Sequence, residues 1–152
     1  MWKPTFVERK KPETIEDLIS TCDQKTLVKW ACGCAEHVIF YYERSGTENK
    51  APQYAIQACR DFVKGSITVG DARKFSLASH EAAKTTDDES ARAVAHACGH
   101  AAATAQLKGN ANQTATYALK AVYLAEDDMD AESKWQFKHL DNLMKFQMNP
   151  KI

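Results

Sequence analysis

The sequence predicts an all-α protein, a single compact bundle of six or seven mostly antiparallel helices. Three observations carry this prediction. Alanine fills 13 of the 35 positions from Ala91 to Ala125, and alanine loses no side-chain entropy on entering a helix. Proline is confined to positions 4, 12, 52 and 150, so the stretch from Gln53 to Asn149 has no residue that both lacks an amide proton and breaks a helical turn. No run alternates apolar and polar residues at period two, so strands are not expected.

Each helix is read from its caps and its apolar stripe. A short one covers Thr14 to Ser20. The second starts at Asp23 as its cap, carries Leu27, Trp30, Ala31, Cys34, Val38, Tyr41 and Tyr42 on one stripe, and stops before Gly46. The third starts near Pro52, a residue suited to a first turn, and ends before Gly65. The fourth opens with a capping box at Thr68-Val69-Gly70-Asp71 and runs to about Thr85. The fifth opens with a second box, Thr86-Asp87-Asp88-Glu89, and buries Ala91, Val94, Ala95, Cys98, Ala101, Ala102 and Ala105. The sixth begins at Asn110 and buries Ala111, Ala115, Ala118, Leu119 and Val122; the last spans Met129 to Met148 with Phe137, Leu140, Leu143 and Met144 inward. Short connections make successive helices antiparallel neighbours. The alanine stripes let helix axes approach, and the large residues Trp30, Tyr41, Phe62, Phe75, Trp135 and Phe137 are expected at the periphery. Residues 1–12 read as a basic N-terminal arm carrying Trp2 and Phe6, and residues 13–152 as one helical domain.

Composition excludes several classes. The chain has 152 residues, enough for one domain. Apolar residues are 44% and charged residues 26%, with 20 basic and 20 acidic side chains. A net charge of zero gives no general pull toward nucleic acid or anionic lipid. No run of about 18 apolar residues offers a membrane span, and Glu8-Arg9-Lys10-Lys11 stand where a secretory signal needs apolar residues. The five cysteines, Cys22, Cys32, Cys34, Cys59 and Cys98, are odd in number and irregular in spacing. They read as reduced thiols in a cytoplasmic protein.

The chemistry-bearing candidates each have two readings. His96 and His100, four apart on a helix, share a face and could share a divalent metal with His80 of the preceding helix. They could equally fill polar gaps between alanine-rich helices through hydrogen bonds. No other cofactor is expected. Cys32-Gly33-Cys34 looks metal-like, but positions two apart on a helix diverge by about 200°, so the two thiols cannot share one tetrahedral ion. The acidic cluster of Glu126, Asp127, Asp128, Asp130 and Glu132 lacks the glycine and terminal glutamate of a calcium loop. It is either the acidic start of a helix, favoured by the dipole, or a contact surface for a basic partner, with Glu126, Asp127, Asp128 and Asp130 as the partner-binding residues. Tyr41, Tyr42, Tyr54, Tyr117 and Tyr123 could line a small-molecule pocket. Ser76, Ser79, His80 and Glu81 are adjacent in sequence but form no triad.

Several segments together resemble a known family. They are Trp30-Ala31-Cys32-Gly33-Cys34-Ala35-Glu36-His37-Val38, Ala55 to Gly65, Val69-Gly70-Asp71-Ala72-Arg73, Ala78-Ser79-His80-Glu81, Ala93-Val94-Ala95-His96-Ala97-Cys98-Gly99-His100, and Ala115 to Val122. From about Trp30 to Val122 the sequence resembles the small, alanine-rich, all-helical immunity proteins of bacterial toxin systems. The resemblance implies a cytoplasmic bacterial protein that binds and neutralises a toxin, and implies no catalytic residue. The family pattern continues with further histidines after Thr104-Ala105, where this sequence has Gln106 and Asn110. Those two side chains can still hydrogen-bond, so a polar network would survive the change.

Three functions are therefore carried forward: a non-enzymatic module that binds a protein toxin, a metal-binding protein or enzyme built on His80, His96 and His100, and a small-molecule binder. Either a monomer or a homodimer is compatible with Trp2, Phe6 and the tyrosines of the second helix.

Overall fold

The computed structural model describes residues 14–148. The basic arm and its Trp2 and Phe6 lie outside the described residues. Seven α-helices follow one another: α1 (Ile15–Thr21), α2 (Gln24–Glu43), α3 (Ala51–Val63), α4 (Val69–Ala82), α5 (Glu89–Ala103), α6 (Asn110–Leu124) and α7 (Met129–Met148), with a 3₁₀ turn at Ala83–Thr85. The protein is all-α as expected, with no strand among the described residues.

The caps explain the boundaries. Thr14 accepts from the Asp17 amide at 3.1 Å, and Asp23 accepts from the Thr26 amide at 2.7 Å. Thr68 and Asp71 cap each other reciprocally at α4, both bonds 3.1 Å. Gly46 and Gly65 end α2 and α3 with φ of 77° and 81°, a conformation that costs other residues steric strain. At α5 the expected box is displaced. The cap is Asp88, whose carboxylate accepts from the Ala91 amide at 2.9 Å. The 3₁₀ turn carries the chain on past α4, so Thr86 is still extended and its hydroxyl accepts from the Asp88 amide at 3.2 Å instead.

The helix α5 is the hub. It packs against α2, α3, α4 and α6. A helix surrounded by four others must be thin on nearly every side, and α5 buries Ala91, Ala93, Ala95, Ala97, Gly99, Ala101 and Ala102. This all-round burial is wider than the single stripe the sequence predicts. Close axes also let short hydroxyls reach neighbouring backbones. Ser79 of α4 donates to the Ala95 carbonyl at 2.7 Å, and Ser90 of α5 donates to the Ala121 carbonyl at 2.8 Å. Each such bond satisfies a buried hydroxyl and adds about 1 kcal/mol.

The large residues are not confined to the periphery. Trp30 is fully buried in the centre of the core, and its indole donates to the Gln136 carbonyl of α7 at 2.9 Å. The helix α7 packs on α1, α2 and α6. Its buried line is Glu132, Gln136 and Leu140, with Phe137, Leu143 and Met144 only partly buried. The polar residues on this innermost line have partners on other helices: the Gln136 amide donates to the Ala115 carbonyl at 3.0 Å, and Glu132 meets His37. No described helix is long and apolar enough to cross a membrane.

Candidate functional site

The structure brings His80, His96 and His100 together. The 3₁₀ turn folds α5 back against α4, and His80 in the last turn of α4 meets the two imidazoles that α5 presents one turn apart. His80 Nδ1 and His96 Nδ1 lie 2.8 Å apart, so one donates to the other. The His80 and His100 rings meet edge to face with centroids 4.7 Å apart. Tyr117 of α6 covers the group, 5.3 Å from the rings of both His96 and His100. Gly99 leaves the room His80 needs: a Cβ there would stand 2.7 Å from His80 Nε2.

His100 is held from α6. Its Nδ1 lies 3.0 Å from Asn110 Oδ1, while the Asn110 amide nitrogen donates to the Ala103 and Leu107 carbonyls, both at 3.3 Å. Those two bonds fix which end of the amide faces the ring, so the His100 proton sits on Nδ1. Asn110 thus keeps a hydrogen bond to the imidazole group, as its side chain allows. Burial, then the neighbouring imidazole charges, push the His80 pKa down to about 4. His96 is lowered too, by burial first and then by His100, Lys120 and Arg92. Both rings are neutral at pH 7. A neutral ring has one lone pair, and in this bond one Nδ1 gives its proton and the other its lone pair, so the accepting ring has no lone pair left for an ion. Among the described residues no three His, Cys, Asp or Glu side chains are placed to hold a metal ion.

A second imidazole group lies between α2 and α7. His37 Nδ1 bonds to both oxygens of Glu132, at 2.8 and 3.0 Å. Its ring stacks on Trp135 at 3.6 Å with planes 6° apart, and the His139 ring also stacks with Trp135, at 4.9 Å. His139 Nε2 is buried without a hydrogen-bond partner and faces Gly33 of α2, where a Cβ would overlap the ring. Burial, then the charge of His37, lowers the His139 pKa. Sequence reading missed this group, because its members are about 95 residues apart along the chain. The one local signal was Gly33, four before His37 on a helix that otherwise has no reason to carry glycine.

Beside this stack opens a groove of about 390 Å³, lined by His37, Phe40, Tyr41, Asp127, Asp128, Glu132 and Trp135 among others. Phe40 is 47% exposed at its edge. The acidic cluster of the α6–α7 turn forms one wall. Asp127 Oδ2 accepts from the Tyr41 hydroxyl at 2.7 Å, a bond that holds its carboxyl below the usual range. Asp128 caps α7 by accepting from the Ala131 amide at 3.0 Å. Glu126 turns the corner at φ 60°, a left-handed position taken without glycine.

A comparison with known families decides the affiliation. Residues 17–143 match the family described as Imm-5 like putative immunity protein. The chain belongs to this family. No curated protein and no solved structure matches it.

Within this immunity-type fold the remaining candidates separate. Glu126, Asp127, Asp128 and Asp130 are all solvent-exposed, whereas Glu132 is buried against His37. The five tyrosines do not gather around one pocket. Tyr42 is buried and donates to the Asn49 carbonyl at 2.6 Å, Tyr54 and Tyr123 are exposed, Tyr41 lines the acidic groove, and Tyr117 covers the histidines. Cys34 points into the core, where burial holds its thiol far above the ordinary range. Cys32 lies against α3, its Sγ 3.7 Å from the Ile56 carbonyl.

Proposed function

We propose that this protein binds and neutralises a protein toxin, without chemistry of its own, and that the groove beside His37 and Trp135 receives a basic segment of that toxin. The family affiliation supports a protein partner. The observation that carries the choice of face is the groove itself. Aromatic surface from Phe40 and Trp135 lies next to exposed Asp127 and Asp128, with exposed Glu126 and Asp130 close by in the same turn. Aromatic faces beside carboxylates suit arginine and lysine, which stack on the ring and pair with the acid. A toxin that attacks inside the cell places this encounter in the cytoplasm.

The test begins with capture of partners on the tagged full-length chain from the native lysate. The captured protein must arrest growth when expressed alone, and co-expression of this chain must restore growth. A variant combining Phe40→Ala with Asp130→Lys changes the rim without touching Tyr41, Asp127 or Asp128, whose side chains hold local structure. Loss of rescue with an unchanged circular dichroism spectrum supports this face. Full rescue by the variant moves the interface elsewhere. Failure of the wild-type chain to rescue overturns the neutralising role.

A second reading, a divalent-metal site at His80, His96 and His100, draws on the convergence of three imidazoles. It requires the His80–His96 hydrogen bond to open so that both lone pairs turn to one ion. Elemental analysis of the same purified protein tests it, with His100→Ala as the control that must lose any stoichiometric metal.

A further inference from the structure

The side that α2 turns to α3 carries the opposite charge from the side it turns to α7. On α2 its residues are Lys29, Cys32 and Glu36, spaced three and four apart and so on one face. On α3 they are Cys59, Arg60, Val63 and Lys64, again on one face. Together they line a groove of about 330 Å³. Clefts that hold small molecules span roughly 300–1,000 Å³, so the groove suits a small ligand.

Its two ends are unlike. The helices run antiparallel: Glu43 meets Gln53 at 3.4 Å near the turn that joins them, and Glu36 meets Arg60 further along. At the Arg60 end the charges cancel, because Arg60 is ion-paired with Glu36. At the far end stand Lys29 and Lys64, one from each helix. Both are exposed, and neither is in an ion pair among the described residues. The Lys29 ammonium is 6.0 Å from the Phe146 ring, at the outer limit of a cation–π contact. Between the ends the lining is apolar, made of Val63, the sulfurs of Cys32 and Cys59 and the methylene stems of the lysines. The Cys32 thiol already donates toward the Ile56 carbonyl at 3.7 Å, so it offers a ligand sulfur surface and no free proton.

We propose that this groove binds a small amphipathic anion, its carboxylate or phosphate headgroup held between Lys29 and Lys64 and its short apolar tail lying over Val63, Cys32 and Cys59.

Each part of the ligand answers a part of the groove. Two ammonium groups on different helices can close on one anion without giving up an ion pair they already have. The C-terminal carbonyls of α3 oppose an anion, and Lys64, the residue that caps this end, offsets them. Exposed lysines alone hold a bare anion weakly, because water competes for every bond. The apolar tail supplies the rest by covering Val63 and the two sulfurs. A cation of the same length would meet the lysines with like charge. The site lies on the other flank of α2 from the groove beside His37, so it stands whether or not that groove receives a toxin.

The test is titration calorimetry of the full-length chain in low-salt buffer near neutral pH, with hexyl phosphate and with hexanoate. The two share a tail and differ in headgroup. Saturable one-to-one binding of either is expected, and the tighter one names the headgroup. Inorganic phosphate lacks the tail and hexan-1-ol lacks the charge, so each should bind about tenfold more weakly, or worse. Lys29→Gln combined with Lys64→Gln should weaken the hexyl anion about tenfold or more. Both side chains are exposed, and circular dichroism checks the fold of the variant. Backbone amide shifts on titration should gather at positions 29–36 and 59–64. The proposal is overturned if neither hexyl anion binds saturably, or if inorganic phosphate or hexan-1-ol binds as tightly as the hexyl anion. It is equally overturned if the double variant binds like the wild type, or if the shifts fall on another face.

Discussion

The two imidazole groups solve one packing problem in opposite ways. Each fills a polar gap between helices brought close by small residues, and each rests a histidine ring on a glycine: His80 on Gly99, His139 on Gly33. The α4–α5–α6 group pairs imidazole with imidazole and imidazole with amide, with no carboxylate bonded to its rings. The α2–α7 group has a buried carboxylate, Glu132, bonded twice to His37, and a tryptophan between its two rings. The difference sets what each can do. A cluster with no carboxylate to strand loses only hydrogen bonds when one member is removed. A buried carboxylate with one imidazole partner is destabilised by any change to that partner, and this one lies beside the groove we assign to a toxin.

The comparison breaks most sharply at Glu132. His37→Ala leaves that carboxylate buried without its partner and should cost about 2–3 kcal/mol in denaturant unfolding, against about 1 kcal/mol for His100→Ala. Equal losses would mean that Glu132 finds water when His37 is gone. The glycines come next. Gly33→Ala should cost about 2 kcal/mol, because the added Cβ overlaps the buried His139 ring, while helix propensity returns part of that. His139→Ala in the same chain should recover most of the loss, since it removes the atoms that collide. Gly99→Ala should cost less, about 1 kcal/mol, since the added Cβ would stand 2.7 Å from His80 and needs a smaller shift of that ring.

The acid limb of the stability curve sharpens the contrast further. His80, His96 and His139 all have folded pKa values below the unfolded value near 6.5. The unfolded chain therefore takes up protons first as pH falls. Their contribution is complete above pH 6.5 and is lost as pH drops toward about 4, on the order of 1–2 kcal/mol. Urea unfolding at pH 7.5 and 4.5 should show that loss, and His80→Asn with His96→Gln should flatten most of it. An unchanged slope in that double variant would place the protons elsewhere. Asn110→Ala should cost about 1 kcal/mol, no less than His100→Ala, because it removes the hydrogen bond to His100 together with the amide's two bonds to backbone. Asn110→His should keep more of that stability than alanine does.

Helices were legible because their signals are local. Asp23, Thr68 with Asp71, Pro52, and the glycines at 46 and 65 act within a turn of themselves, and all appear where the spacing places them. The α5 cap is Asp88 and not Thr86, because the Asp88 carboxylate accepts from the Ala91 amide while the Thr86 hydroxyl accepts from the Asp88 amide. The first imidazole group was half legible. A four-residue spacing puts His96 and His100 on one face, and a short turn brings His80 to it. That His100 would find Asn110 on α6 was not written in either helix. Trp30 was misplaced at the rim because size alone suggested the periphery, and the carbonyl its indole needs belongs to Gln136, 106 residues away.

By itself the sequence determined the helices, their order and the thin alanine faces, since propensity, capping and side-chain volume act over a few residues. Tertiary structure decided which polar groups meet. It set Glu132 against His37, His139 over Gly33, and His80 against His96, pairs whose chemistry exists only after the chain has closed the distance between them. A buried charge or a shifted thiol is a property of an environment, and the environment of each of these residues is supplied by another helix.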